Sequence, residues 1–133
     1  MVDWNECIKK RIVKDVKEDK NMIKSAREIA QVKIDSANAL PERLFIGKIT
    51  LLYDALREYL ECIALENCFK IYNPECYTPF LNEILNKPGE AETFDKLRKI
   101  RNGINYYGRK VNNEEAEQII KELKDLINAI NSE

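Results

Sequence analysis

The sequence predicts an all-α fold, an up-and-down antiparallel four-helix-type bundle with additional short helices. Three observations carry that expectation. Apolar residues recur at spacings of three and four along several long stretches, the period of a helix with one buried face. Proline and asparagine stand where helices should begin. No stretch alternates apolar and polar residues well enough to read as a strand. A chain of 133 residues suits one domain with a proper core. The domain is read as 1–133, with an N-terminal extension over 1–20 and a bundle over 21–131.

Each element has its own warrant. Trp4, Cys7 and Ile8 suggest a short amphipathic helix, and the charged stretch from Arg11 to Lys20 should turn or loosen the chain. A helix over 21–40 follows, with Ile23, Ala26, Ala30, Ala37 and Leu40 on its inner face. Pro41 marks the break and should sit early in the next helix. There Phe45, Ile49, Leu52, Leu56, Tyr59 and Ile63 recur at spacings of four, three, four, three and four, which predicts a helix ending near Phe69. Asn73-Pro74 reads as an N-cap with proline at the first helical position, opening a short helix that encloses Phe80, Leu81, Ile84 and Leu85. Lys87-Pro88-Gly89 should end it. The next helix runs over 90–107, stopped by Gly108. Asn112, with Glu115 three residues on, caps a last helix carrying Ala116, Ile119, Ile120, Leu123, Leu126, Ile127 and Ile130.

Composition narrows the function classes. The hydrophobic fraction of 44% is ordinary, whereas 34% charged residues is high. Much of that charge is Lys and Glu, which leans toward a thermophilic source, although the many asparagines lean the other way. With a net charge of −1 there is no global basic field to draw in nucleic acid, so any RNA contact must be local. No apolar run is long enough for a membrane span, and the first residues show no signal-peptide pattern. The four cysteines, Cys7, Cys62, Cys68 and Cys76, form no C-x-x-C pair and there is no histidine to complete a zinc set. They are read as reduced thiols of a cytoplasmic protein without metal or cofactor.

The segment over 98–108 carries the most chemistry. Phe94, Leu97, Ile100 and Ile104 fall on one helical arc, and Arg101 lies inside it. Arg98, Arg101 and Asn105 form a ridge along its edge, with Asn102 beside them and Tyr106 and Tyr107 at the end. Polar groups on an apolar face are costly unless something satisfies them. Gly103 inside the same helix costs about 1 kcal/mol relative to alanine, which suits a place where another backbone comes close.

These residues resemble the motif helix of the HEPN domain family. The family motif is an arginine usually followed by Asn, Asp or His, and then a histidine after four to six residues. Arg101-Asn102 matches the first half; Tyr106 stands after four intervening residues where the histidine is expected. The runs 51–58 and 70–77 are similar to the corresponding parts of archaeal members, so the resemblance covers roughly residues 20–130. It implies a helical bundle forming a homodimer, with the motif helices facing each other across a cleft and Gly103 at their close approach.

Many HEPN proteins cut RNA without a metal, the arginine holding phosphate and the histidine moving a proton. Arg101 can fill the first role. Tyrosine ordinarily ionises only near pH ~10, so a tyrosine in the histidine position suits stacking or hydrogen-bond donation better than proton transfer. The expectation is therefore a HEPN-like binding module for nucleotide, RNA or a minimal nucleotidyltransferase partner, as in a toxin–antitoxin-like system. Its ligand-binding residues would be Arg98, Arg101, Asn102, Asn105, Tyr106 and Tyr107. The alternatives are a metal-independent ribonuclease with a degenerate Arg-x4-Tyr site, Arg101 and Tyr106 being catalytic, and a purely structural dimeric subunit. In the last case Arg101 would pair with a carboxylate of another helix, with Asp54, Glu58 and Glu61 as candidates. Arg57 beside the core stripe reads as part of a solvated face, with a place in the same cleft as the alternative, and Asn73 reads as helix-start chemistry.

Overall fold

The longest helix, α3 (Phe45–Glu66), is apolar on more than one face, and the rest of the chain is arranged to cover it. The computed structural model describes residues 2–132. The elements in order are α1 (Trp4–Lys9), β1 (Val13–Asp15), α2 (Lys20–Ala39), α3, β2 (Phe69–Ile71), α4 (Tyr77–Pro79), α5 (Pro88–Tyr106) and α6 (Asn113–Asn131). Short 3-10 turns, Glu42–Leu44 and Pro74–Cys76, precede α3 and α4, and α4 widens into a π-turn over Phe80–Ile84. The fold is thus mainly helical.

Leu52, Leu56 and Leu60 of α3 are completely enclosed, and Tyr53, Ala55, Cys62, Ala64 and Leu65 are buried too. Helices α2, α5 and α6 all pack on this element. Arg27 pairs with Glu66, Lys33 with Glu58, and Lys48 reaches the Ala37 carbonyl, so α2 numbers rise as α3 numbers fall and the two run antiparallel. The main core joins α3 to Phe94 and Leu97 of α5 and to Ile119, Leu123, Leu126, Ile127 and Ile130 of α6. Of the inner face expected for α2, Ile23, Ala30 and Ala37 are buried, whereas Ala26 and Leu40 are only partly covered.

Helix boundaries follow the local chemistry. Asp3, Asp19, Asn73 and Asn112 each accept a hydrogen bond from a backbone N–H of the turn they open. Helix α3 stops at Glu66, three residues short of the expected end, because Cys68 takes a left-handed φ of 64° and the chain enters β2. Pro88 begins α5 instead of merely ending the segment before it.

Two expectations are corrected. The stretch from Arg11 to Lys20 contains a strand, and β1 pairs antiparallel with β2 in the register Val13↔Ile71, Lys14↔Lys70, Asp15↔Phe69. The pair is short, but Val13 and Ile71 are both buried, so its inner face joins the core. The cysteines are not all reduced thiols. Cys7 of α1 and Cys76 of the 3-10 turn form a buried disulfide, with 6.1 Å between Cα atoms. Cys62 and Cys68 are free. The N-terminal segment is consequently fastened to the core: Trp4 lies 5.1 Å from the Phe69 ring and 5.8 Å from the Phe80 ring. Its backbone N–H also donates to Glu83 at 2.8 Å.

Candidate functional site

Arg57 of α3 meets Arg98 and Arg101 of α5 at a cleft of about 290 Å³. Tyr53, Asn102 and Tyr106 complete these two walls, and Asn73, Pro74 and Glu75 of the 3-10 turn supply a third. The packing beneath explains why these pieces converge. The Tyr53 and Phe94 rings stack at 6.2 Å, and Tyr77 meets Phe94 edge-on at 6.1 Å, so α3, α5 and α4 share one aromatic layer. Four residues, slightly more than one helical turn, separate Tyr53 from Arg57 and Arg98 from Asn102, so each pair shares a helix face.

Arg101 lies between two aromatic rings. Its guanidinium carbon is 5.2 Å from the Tyr53 ring centre and 5.6 Å from that of Tyr106. Nη1 donates to the Tyr106 hydroxyl at 3.2 Å. Among the three carboxylates considered as its partner, Asp54 approaches Nη2 at 3.9 Å, a loose contact; Glu58 pairs with Lys33 and Glu61 with Lys70. Arg98 is held more firmly. Asp95 accepts from Arg98 Nη2 at 3.0 Å, pairs with Lys99 at 3.0 Å, and accepts from Thr78 at 3.2 Å. Burial works to raise the Asp95 pKa, but the bonds from Lys99 and Arg98 prevail and hold it below the ordinary carboxylate value.

The cleft is positively charged and its cations are incompletely paired. Arg57 makes no hydrogen bond or ion pair among the described residues. The Nε atoms of Arg98 and Arg101 are buried without a hydrogen-bond partner. Glu75, the carboxylate in the lining, is in no ion pair among the described residues. Burial pushes the Tyr53 hydroxyl up to about 12, against the opposing pull of Arg101, Arg57 and Arg98. All three guanidinium groups therefore act on the same point. Like charges gathered this way repel, and an anion placed among them removes the penalty.

Of the residues expected at the site, Arg98, Arg101, Asn102 and Tyr106 line the cleft. Asn105 and Tyr107 do not: both are exposed, Asn105 on the last turn of α5 and Tyr107 at its C-cap, on either side of Tyr106. Tyr53 and Asn73 were not expected there, and Arg57 was read first as part of a solvated face, with the cleft as its alternative. The signal for Arg57 and Tyr53 was present as two polar residues one turn apart on an apolar helix. Gly103 has a close neighbour within the chain. A Cβ there would lie 3.2 Å from Arg109 Cδ of the same chain, and the Gly103 carbonyl accepts from the N–H of both Tyr107 and Arg109. The Arg109 side chain is brought there as the chain turns back after α5.

Comparison with protein families, with curated proteins and with solved structures finds no match. The chemistry of the cleft therefore has to be read from its own residues. No group of three His, Cys, Asp or Glu among the described residues is placed to hold a metal ion. No helix among them is long and apolar enough to cross a membrane. A slightly larger cavity of about 340 Å³ lies where the starts of α3 and α6 meet, but Glu42 and Glu117 balance Arg43 and Lys48 in its lining. Such a lining selects no sign of charge, unlike the arginine cleft.

Proposed function

We propose that this chain is a HEPN-like binding module that holds a nucleotide or RNA phosphate in the arginine cleft. One observation carries the reading: Arg57, Arg98 and Arg101 converge on a tyrosine-lined cleft in a protein whose net charge is only −1. Planar guanidinium forks match phosphate oxygens, and the exposed Tyr106 ring at the rim can stack on a base or ribose. Asn102 stands beside Arg101 where it can bond a sugar hydroxyl.

The wider reading follows the resemblance. Helices α2, α3, α5 and α6 are taken as the four-helix-type bundle, supported by the antiparallel course of α2 and α3. A homodimer, a minimal nucleotidyltransferase partner and a toxin–antitoxin-like setting belong to the same reading. So does a cytoplasmic location. The Cys7–Cys76 disulfide fits there if the source is thermophilic, since intracellular proteins of hyperthermophiles hold disulfides.

The test pairs binding with cleavage. Wild type and Arg101→Ala at matched stability are titrated with nucleotide and RNA, and incubated with RNA in EDTA. The binding module binds in the wild type, loses affinity in the variant and cleaves in neither. Cleavage by the wild type alone would convert the reading to a ribonuclease. Absence of binding in both, with a destabilised variant, would make Arg101 a structural residue.

A further inference from the structure

We propose that the arginine cleft receives a phosphate monoester, the terminal phosphate of a mononucleotide or of an RNA end, in preference to the internal diester of a continuing strand. The inference rests on the reading that the cleft takes a nucleotide phosphate, and names the form of that phosphate.

The first argument is the supply of donors. Three guanidinium groups from two helices face one cleft. The nearby carboxylates are poor competitors for them. Asp95 is shared by Arg98, Lys99 and Thr78, Asp54 touches Arg101 only at 3.9 Å, and Glu75 is unpaired among the described residues. A monoester offers three non-bridging oxygens and a charge of about −1.5 to −2 at neutral pH. A diester offers two such oxygens and a single charge. Three forks can each engage an oxygen of the monoester, and Arg57 is the fork that a diester leaves idle.

The second argument is size. At about 290 Å³ the cleft sits at the lower end of small-molecule sites, enough for a phosphate with its sugar. Tyr106 stands at its rim, 67% exposed, as a surface for whatever is attached to that sugar.

The chemistry also supplies a readout. The second ionisation of a phosphate monoester falls near pH ~6, so its double charge is lost on mild acidification. The groups around the cleft are Tyr53, Asp54 and Arg57 from α3, Glu75 from the turn, and Asp95, Arg98, Lys99, Arg101 and Tyr106 from α5. The chain contains no histidine, the side chain that would ordinarily titrate in the same window. A pH dependence near 6 therefore belongs to the ligand.

Calorimetric titration tests this with four probes: adenosine 5′-monophosphate, a 5′-phosphorylated trinucleotide, the same trinucleotide with a 5′-hydroxyl, and the dinucleoside monophosphate ApA. At pH 7.5 at least one phosphorylated probe should bind ten times or more tighter than ApA and the 5′-hydroxyl trinucleotide. Its affinity should fall severalfold at pH 5. Arg57→Lys and Arg57→Ala should cut the preference to threefold or less without altering the melting curve. Tighter binding of the mononucleotide or of the trinucleotide separates a free nucleotide from an RNA end. Equal, pH-independent binding of the diester probes would overturn the monoester assignment and leave the nucleotide reading intact. Binding of none of the four would overturn both.

Discussion

Asp95 and Arg101 show how differently two charged residues of one helix can be employed. Asp95 is buried and accepts bonds from Thr78, Arg98 and Lys99, so it ties α4 to α5 and fixes the Arg98 guanidinium at the cleft wall. Its pKa is lowered in the folded protein because those bonds outweigh burial. A lowered carboxylate pKa adds stability that is present above the unfolded value and is lost as pH falls through the folded one. Asp95→Asn should therefore cost about 1–3 kcal/mol at pH 7. The gap from wild type should shrink as the pH drops below 3.8, the ordinary value of the group. Urea melts at pH 7 and pH 3 check this, and a gap that stays constant would show that the charge of Asp95 is immaterial. Arg101 has a loose ion pair, an exposed hydrogen bond to the Tyr106 hydroxyl and two ring contacts. Arg101→Ala should cost about 1 kcal/mol of stability, while ligand affinity falls at least about tenfold, the loss of a charge-assisted bond. Urea melts and titrations on the same samples separate the two effects. Arg101, Asn102 and Tyr106 were legible because polar residues on an apolar arc stand out. Arg57 was only half legible: its polarity on an apolar helix was visible, but a solvated face accounted for it until α5 is laid against α3.

At the scale of elements, a few capping residues and one cross-link decide where segments stop and what they face. Gly108 has a φ of 67°, and the chain reverses there so that Arg109 can bond back to Gly103. Gly108→Ala would force a side chain into that left-handed conformation and should cost about 1 kcal/mol, although nothing lies within 4 Å of the added Cβ. Thermal unfolding checks it, and an unchanged melting temperature would mean that the reversal is not held in the native state. The disulfide joins residues 69 apart in sequence. In the chain-entropy account it contributes about 4 kcal/mol, and reduction should lower stability by about 2–4 kcal/mol. Thiol counting in denaturant provides an independent check: Cys62 and Cys68 should react before reduction, and all four cysteines after it. The long helices were legible from spacings of three and four, and the starts of α6 and of the turn at Asn73 from their caps. Strands β1 and β2 are three residues each, and their partners lie far apart in sequence, so no local pattern announces them. The disulfide was hidden for the same reason. It depends on α1 and the Pro74–Cys76 turn meeting in space, and spacing alone does not determine cysteine pairing.

The molecule as a whole joins these scales, because the walls of the cleft are also parts of the core. Tyr53 is buried against Phe94 while its ring supports Arg101, and the turn bearing Asn73 to Glu75 is held through Cys76 to the N-terminal helix. A ligand that bridges α3, α5 and this turn binds only when all three are assembled. It must therefore stabilise the native state by RT ln(1 + [L]/Kd), about 2.7 kcal/mol at a concentration one hundred times Kd. For a domain of 133 residues this corresponds to a rise of roughly 10 °C in melting temperature. At the same ligand concentration the shift should fall by about half or more in Arg101→Ala, as a tenfold or greater loss of affinity requires, and should be reduced in Arg57→Ala. It should persist in Tyr107→Ala, since Tyr107 is 82% exposed and lies outside the cleft. Thermal melts with adenosine 5′-monophosphate measure all three variants against wild type. A rise undiminished in Arg101→Ala would place the ligand elsewhere, with the cavity between α3 and α6 the next place to look. A rise cut by about half or more in Arg101→Ala, reduced in Arg57→Ala and kept in Tyr107→Ala ties binding to the assembly of α3 against α5.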